Sequence, residues 1–245
     1  MASNPPGSCC YHGVKHEGEA VGQMGKIGDV ETYFSYPSNK STEKAILLLP
    51  DVIGHGFINA QLIADQFAAN GYFVVMPDTY NGDPVPLNKA DDFDFQQWIK
   101  GHQPSTVDPV VEAALVEMRE KLGCKRIGAV GYCFGAKYVV RHLKPGQGKI
   151  QVGYCAHPSF VESQELQEIQ GPFAISAAET DNIFPAEKRH ESEEILKKTG
   201  QPYQINLYSG VEHGFAIRAS LDNKVAKYAK ENAFLQAVQW FGEHL

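Results

Sequence analysis

Short continuous apolar runs alternate along the chain with longer segments in which apolar residues recur at helical spacing. Residues 45–49 form such a run, which is typical of a strand buried on both faces. In residues 57–70 the apolar side chains share one helical face, and Gly71 supplies a C-terminal stop. The same patterns predict strands over residues 30–36, 72–76, 126–130, 150–156, 172–177 and 203–208, and helices over residues 108–122, 136–142, 185–198 and 221–241.

This alternation predicts an α/β fold. Strands separated by helices pair into a mostly parallel central sheet with helices on both faces, and the crossovers between them are right-handed. Parallel strands end at the same edge of a sheet. We therefore expect the chemistry of this protein at the carboxyl ends of its strands.

Two segments depart from the alternation. Residues 1–29 are rich in Gly, Ser, Pro and His and show little periodicity, so we expect an N-terminal arm on a single domain that spans residues 30–245. Residues 80–106 are polar and irregular, with a short helical piece at residues 93–99. A connection this long in a compact domain is often functional, and we interpret it as the wall of a pocket.

Composition narrows the class of protein further. The 245 residues are 43% hydrophobic with a net charge of -7, which suits one globular domain and argues against nucleic acid or an anionic membrane as a partner. No apolar run is long enough to cross a bilayer, and no secretory signal is recognisable. Five cysteines are an odd number for a disulfide framework. We expect a cytoplasmic monomer or homodimer with no cofactor or metal.

The sequence Gly131-Tyr132-Cys133-Phe134-Gly135 carries the most specific chemical signal. It lies between a predicted strand and a predicted helix, which is the context of a nucleophile elbow, with cysteine in the place of the more common serine. Glycines two residues before and after the nucleophile allow strand and helix to approach closely. Cys133 is therefore the candidate nucleophile.

A thiol with a pKa near about 8.5 needs a base to become a nucleophile at neutral pH, and a carboxylate must orient that base. In α/β-hydrolases these residues follow in the order nucleophile, acid, histidine. Asp181 and His213 fulfil this order, each just after a predicted strand. His157, which also follows a strand, is the competing histidine. The carboxylates that compete with Asp181 are Glu179 and Glu212.

These motifs, together with Pro77-Asp78-Thr79-Tyr80 and His213-Gly214-Phe215, resemble those of the dienelactone hydrolases, the carboxymethylenebutenolidase branch of the α/β-hydrolase fold. The resemblance extends from Val30 to the C-terminus, and the Cys9–Cys10 arm resembles that of uncharacterised fungal members. It implies a catalytic triad of Cys133, Asp181 and His213.

The resemblance also implies the groups that surround the triad. The oxyanion hole would consist of the backbone N–H groups of Phe134, which follows the nucleophile, and Val52. Asp51, Tyr80 and Arg218 are expected to contact the substrate. Asp51 stands where the bacterial enzymes carry a glutamate, and Gly82 replaces one of two arginines that bind the substrate carboxylate. Both dienelactone and a smaller or less acidic lactone or ester are therefore candidate substrates.

Other residues of interest have plainer interpretations. Asp78 follows a strand and is expected to brace a turn. The aromatic residues Tyr80, Phe93, Trp98 and Phe215 fit a pocket lining and core packing equally well. Cys9, Cys10, His12 and His16 contain zinc-ligand types, but adjacent cysteines fit structural-zinc spacing poorly.

The sequence thus predicts a cofactor-free hydrolase that acts on a small lactone or carboxylic ester through a thioester intermediate. The alternative is a non-catalytic protein that binds small molecules on a hydrolase scaffold.

Overall fold

The computed structural model describes residues 1–89, 93–144 and 150–245. Within these residues the chain forms one eight-stranded sheet in the order β1-β2-β4-β3-β5-β6-β7-β8. The strands are β1 (Gln23–Ile27), β2 (Val30–Ser35), β3 (Lys44–Leu49), β4 (Phe73–Pro77), β5 (Arg126–Tyr132), β6 (Val152–Ala156), β7 (Phe173–Thr180) and β8 (Tyr203–Glu212).

The sheet is mostly parallel, as the sequence predicts. Every neighbouring pair from β4 and β3 through β8 is parallel, whereas β1 with β2 and β2 with β4 are antiparallel. The central strands β3 and β4 are buried along almost their whole length. Their continuous apolar runs reflect burial on both faces of the sheet.

Eight helices connect or flank the strands of the described chain: α1 (Ile58–Ala69), α2 (Phe95–Gly101), α3 (Pro104–Glu120), α4 (Gly135–His142), α5 (Ser163–Gln167), α6 (Ala186–Thr199), α7 (Phe215–Arg218) and α8 (Lys224–His244). None of them is both long and apolar enough to cross a membrane.

Two glycines show that helices pack on both faces. A Cβ atom on Gly128 would lie 2.7 Å from the ring of Phe241 on α8, and one on Gly153 would lie 3.1 Å from Val139 on α4. Gly153 pairs across the strands with Ala129, the residue next to Gly128, so the two glycines point to opposite faces. The absence of side chains at these positions lets both helices approach the sheet.

The predicted elements are found, with three differences. The arm assigned to residues 1–29 contains β1, so the division at residue 29 falls in the turn of a β-hairpin. Helix α3 begins at Pro104 and not at residue 108, where Asp108-Pro109 was expected to start it. Asp108 lies inside the helix, and its carboxylate binds Arg141 and His142. The helices α5 and α7 were not predicted, because they are too short to show a helical period in the sequence. Of the predicted pocket wall, residues 90–92 lie outside the described residues.

Candidate active site

Cys133 lies in the sharp turn between β5 and α4. Its φ angle is 52°, a left-handed conformation that is strained for a residue with a side chain. The flanking glycines make the turn possible: a Cβ on Gly135 would lie 2.1 Å from the carbonyl oxygen of Leu49, and one on Gly131 would lie 2.7 Å from Cα of Ala136. The thiol is fully buried, and its Sγ lies 3.6 Å from Oγ of Ser159.

The imidazole of His213 joins the thiol to a carboxylate. Its Nε2 lies 3.2 Å from Sγ of Cys133, and its Nδ1 lies 2.8 Å from Oδ2 of Asp181. The other carboxylate oxygen, Oδ1, accepts hydrogen bonds from the amides of Ile183 and Phe184, at 2.8 and 3.0 Å. Asp181 is therefore held by its own loop while Oδ2 orients the ring.

The fold explains why these three residues meet. Cys133, Asp181 and His213 each follow directly after the last residue of a strand, namely β5, β7 and β8. These strands are parallel, so their carboxyl ends lie along one edge of the sheet.

The surroundings of His213 shift its pKa. Burial disfavours the charged ring, but the sulfur of Cys10 and the carboxylate of Asp181 favour it, and together they raise the pKa of His213 well above its ordinary value. A ring that holds a proton readily can stabilise a neighbouring thiolate by charge.

The competing residues are placed differently. His157 packs edge-on against His213, with ring centroids 4.9 Å apart, and neither of its nitrogens has a hydrogen-bond partner among the described residues. Burial and the nearby His213 lower the pKa of His157 well below its ordinary value, so its ring is neutral. Glu179 accepts a hydrogen bond from the amide of Gly210, and Glu212 is exposed, so neither contacts the imidazole of His213.

The loop after β3 contains Asp51, which is predicted to contact the substrate, and Val52, which is predicted to contribute to the oxyanion hole. The carboxylate of Asp51 is fully buried and forms an ion pair with Arg218, which is 3% exposed. Tyr80 is buried as well, and its hydroxyl donates a 3.2 Å hydrogen bond to the carbonyl of Pro50. Asp78 accepts hydrogen bonds from the amides of Tyr80 and Gly82, so its predicted role in bracing a turn is confirmed.

The N-terminal arm lies over this site, a feature that sequence reasoning missed. The fully buried Sγ of Cys10 is 3.6 Å from Nε2 of His213. Arg218 holds the arm in place, because its guanidinium also donates to the carbonyls of Cys9, at 3.1 Å, and His12, at 3.0 Å. No periodicity marks these contacts in the sequence, and the adjacent cysteines are the only local signal.

The four arm residues considered as zinc ligands have different surroundings in the structure. Nε2 of His16 contacts the carbonyl of Ala219 at 2.8 Å. In the described chain, Cys10 instead groups with Cys133 and His213, whose ligand atoms all lie within 4.8 Å of one another. A cavity of about 380 Å³ lies beside this group and is lined by residues that include His12, His213 and Arg218.

The order of the strands, with a cysteine, an aspartate and a histidine directly after β5, β7 and β8, is that of the α/β-hydrolase fold. The model of the dienelactone hydrolase family matches residues 30–245, and the chain belongs to this family. The expected fold and the expected enzyme class, a hydrolase of carboxylic esters or lactones, are thereby confirmed.

The chain is similar along its whole length to fungal hydrolases. Hydrolase tropI of Talaromyces stipitatus is 58% identical over 253 residues, with 100% of this chain and 99% of that protein covered. Hydrolase pyvD of Aspergillus violaceofuscus is 55% identical, with 100% and 99% covered. Among solved structures, the dienelactone hydrolase-like phosphotriesterase P91 from metagenomic libraries superimposes with a TM-score of 0.71 and covers 91% of this chain and 97% of its own. At 15% identity this last likeness shows the fold alone.

Proposed function

We propose that the protein hydrolyses a small lactone or carboxylic ester through a Cys133–His213–Asp181 triad and a thioester intermediate. The observation that carries this proposal is the position of the imidazole, with Nε2 at 3.2 Å from the thiol and Nδ1 at 2.8 Å from the carboxylate. This is the arrangement in which a histidine exchanges a proton with a nucleophile while a carboxylate fixes its tautomer.

The first half of the reaction forms the acyl-enzyme. His213 accepts the proton of Cys133, and the thiolate attacks the carbonyl carbon of the substrate. The tetrahedral intermediate collapses when the carbon–oxygen bond breaks, and His213 protonates the leaving alkoxide. In a lactone that alkoxide stays attached to the acyl chain, whereas an ester releases a separate alcohol.

The second half releases the acid. His213 removes a proton from a water molecule, which attacks the thioester carbonyl. The carbon–sulfur bond then breaks, and the sulfur regains the proton through His213. The imidazole therefore acts as base and acid in turn, and Asp181 remains its orienting partner.

The backbone N–H groups of Phe134 and Val52 are the proposed oxyanion hole. Neither donates a hydrogen bond to another backbone group in the part of the chain that the structure describes. Free amides next to the nucleophile can stabilise the negative charge that develops on the carbonyl oxygen, and removing one such donor typically slows turnover by about 100- to 1,000-fold.

We propose that the substrate does not need a carboxylate in order to bind. Gly82 offers no cation, and the guanidinium of Arg218 is engaged with Asp51 and with the carbonyls of Cys9 and His12. A substrate carboxylate would have to compete for a cation that is already paired. We therefore favour a small lactone or ester without a negative charge over dienelactone itself.

The test is turnover of matched p-nitrophenyl esters, thioesters and lactones, each with and without a carboxylate, by the wild type and Cys133→Ala. We expect Cys133→Ala to lose at least about 1,000-fold in kcat/KM because the substitution removes the thiol that is proposed to attack the carbonyl carbon. Cys124→Ala, which removes a different buried thiol, is the control and should retain turnover. Undiminished turnover by folded Cys133→Ala would contradict the mechanism.

The same screen addresses the alternative of a non-catalytic binding protein. Saturable binding of these compounds without turnover by the wild type, and without an acyl adduct on Cys133 in intact-mass spectra, would favour that alternative. A faster reaction with carboxylate-bearing substrates would contradict only the proposed substrate preference and leave the triad intact.

A further inference from the structure

We propose that Cys10, Cys133 and His213 form a binding site for Zn²⁺, in which the N-terminal arm supplies one ligand and the metal holds the nucleophile and the base in an inactive state. The juxtaposition that carries the inference is the convergence of two thiols and an imidazole nitrogen within 4.8 Å of one another. All three residues are buried. Only the expected inhibition depends on the proposed function; binding does not.

The distances from the imidazole to the two sulfurs are close to those of a tetrahedral zinc site. Bond lengths of about 2.3 Å for Zn–S and about 2.0–2.1 Å for Zn–N separate a sulfur from a nitrogen ligand by about 3.6 Å in a tetrahedron. The observed separations from Nε2 of His213 are 3.6 Å to Sγ of Cys10 and 3.2 Å to Sγ of Cys133. A small shift of the Cys133 side chain would place the three atoms at three corners around one ion.

The partner of His213 suits metal binding too. A histidine that ligates zinc commonly donates its other N–H to a carboxylate, which directs the lone pair of the ligating nitrogen at the metal. Nδ1 of His213 lies 2.8 Å from Asp181, so in the neutral ring with its proton on Nδ1 the lone pair of Nε2 is directed at the two sulfurs.

Charge and chemical softness favour the same ion. On binding, the protons held by the two thiols and by Nε2 of the imidazole pass to solvent, and two thiolates with a neutral imidazole then balance the charge of Zn²⁺. A buried ion that is neutralised by its own ligands avoids the cost of an unpaired charge. Thiolate ligands also select Zn²⁺ over Mg²⁺ and Ca²⁺, which prefer oxygen.

The arm is held where it can supply the third ligand. Arg218 donates to the carbonyls of Cys9 and His12, the residues on either side of Cys10 and Tyr11. Val14 also donates a 3.0 Å hydrogen bond to the carbonyl of Arg218. The sequence alone does not predict a metal site in the arm, because adjacent cysteines fit structural-zinc spacing poorly. The site proposed here combines one of them with two residues from distant strand ends.

The experiment measures metal binding directly on the full-length, untagged protein, which is reduced, treated with chelator and freed of it. Zn²⁺ is titrated by calorimetry, and Co²⁺ is used as a spectroscopic probe because thiolate ligands give it intense charge-transfer bands. The variants are Cys10→Ser and Cys133→Ser, and the control is Cys124→Ser, which removes a buried thiol at the opposite end of β5 from Cys133. Circular dichroism establishes that each variant is folded.

We expect the wild type to bind one equivalent of Zn²⁺ and to give a Co²⁺ spectrum with two thiolates. Cys10→Ser and Cys133→Ser should each bind at least tenfold more weakly and show a single thiolate, while Cys124→Ser should match the wild type. If the chain hydrolyses the test esters, Zn²⁺ should inhibit it, and Cys10→Ser should need at least tenfold more Zn²⁺ for half inhibition.

Three results would overturn the proposal. One is the absence of Zn²⁺ binding by the reduced wild type, and another is a Co²⁺ spectrum without thiolate bands. The third is an unchanged affinity in folded Cys10→Ser, because it would place the metal on other residues. A failed ester screen would leave these binding measurements unaffected, so the two proposals fail separately.

Discussion

At the scale of single residues, the site depends on backbone positions where only glycine fits. Cys133 is strained in its left-handed conformation, and the surrounding turn maintains it through close contacts between α4 and the loop after β3. These contacts involve backbone atoms, which cannot rotate away as a side chain can. The turn can therefore hold Cys133 in this conformation only because Gly131 and Gly135 carry no side chain.

Replacing Gly135 by alanine tests this dependence. The new Cβ would lie 2.1 Å from the carbonyl oxygen of Leu49 and 2.8 Å from that of Pro50, so the backbone would have to move. We expect Gly135→Ala to lower the free energy of unfolding by about 2–4 kcal/mol, measured by urea denaturation.

The control is Gly242→Ala in α8, where an added Cβ meets no atom within 4 Å. Because alanine has the higher helix propensity, this change should leave stability equal or raise it by about 0.5–1 kcal/mol. Equal effects of the two substitutions would contradict the steric explanation.

At the scale of elements, α3 and α4 are joined by an ionic cluster around Asp108. Nε of Arg141 and Nε2 of His142 each lie 3.1 Å from Oδ1 of Asp108. Burial alone would raise the pKa of Asp108, but the hydrogen bonds from His142 and Arg141 outweigh it and hold the pKa at about 2, below its ordinary 3.8. The cluster fixes α4, the helix that follows Cys133, against α3.

Asp108→Asn should therefore destabilise the protein in a pH-dependent manner. The pKa is lower in the folded than in the unfolded chain, so the stabilisation is complete above pH 4 and is lost as the pH falls towards 2. Allowing for partial solvent screening, we expect the free energy of unfolding at pH 6 to be about 1–2 kcal/mol higher for the wild type than for Asp108→Asn.

Urea denaturation at pH 6, 4.5 and 3 measures this difference, which should shrink at the lowest pH. Glu112→Gln removes an exposed carboxylate from the same helix and is the control. Its effect should stay within about 0.5 kcal/mol at every pH. A difference between wild type and Asp108→Asn that grows as the pH falls would refute the assigned direction of the shift.

At the scale of the whole molecule, the N-terminal arm covers the sheet edge that carries the thiol. The arm is tied to the sheet by β1 and to the site by Arg218, and Tyr11 stacks on Phe95 of α2 with ring centroids 5.9 Å apart. Since Cys133 is fully buried beneath the arm and α2, a reagent can reach its thiol only when the arm moves. Access to the site is thus a property of the arm and α2 together.

Tyr11→Ala should loosen this cover. It removes the aromatic contact with Phe95 and a second one with Phe93, whose ring centroid lies 5.8 Å away. We expect the rate at which iodoacetamide alkylates Cys133, followed by peptide mass spectrometry, to rise at least fivefold, because such a pair contributes about 1 kcal/mol beyond its buried area. Tyr228→Ala, at a side chain that is 64% exposed on α8, is the control and should not change the rate.

Much of the fold was predictable because its signals are local. Strands buried on both faces require continuous apolar runs, helices on the sheet require one apolar face, and a nucleophile elbow requires glycine on each side of Cys133. The start of α3 was missed because Pro104 and Asp108-Pro109 are both acceptable helix starts, and the choice between them depends on the contacts of Asp108 with α4. The strand β1 was missed because its residues are mostly exposed and carry no apolar alternation.

The amino-acid pattern alone indicates the class of fold, the order of most of its strands and helices, and the candidate residues at the strand ends, because each depends on residue type and spacing along the chain. Three contacts become visible only in the folded chain: His213 and not His157 contacts the thiol, Arg218 is paired with Asp51, and Cys10 lies against the imidazole. These pairs join residues that are far apart in the chain. Their meeting depends on how parallel strands align at one edge and on where the arm crosses it, which no local pattern encodes.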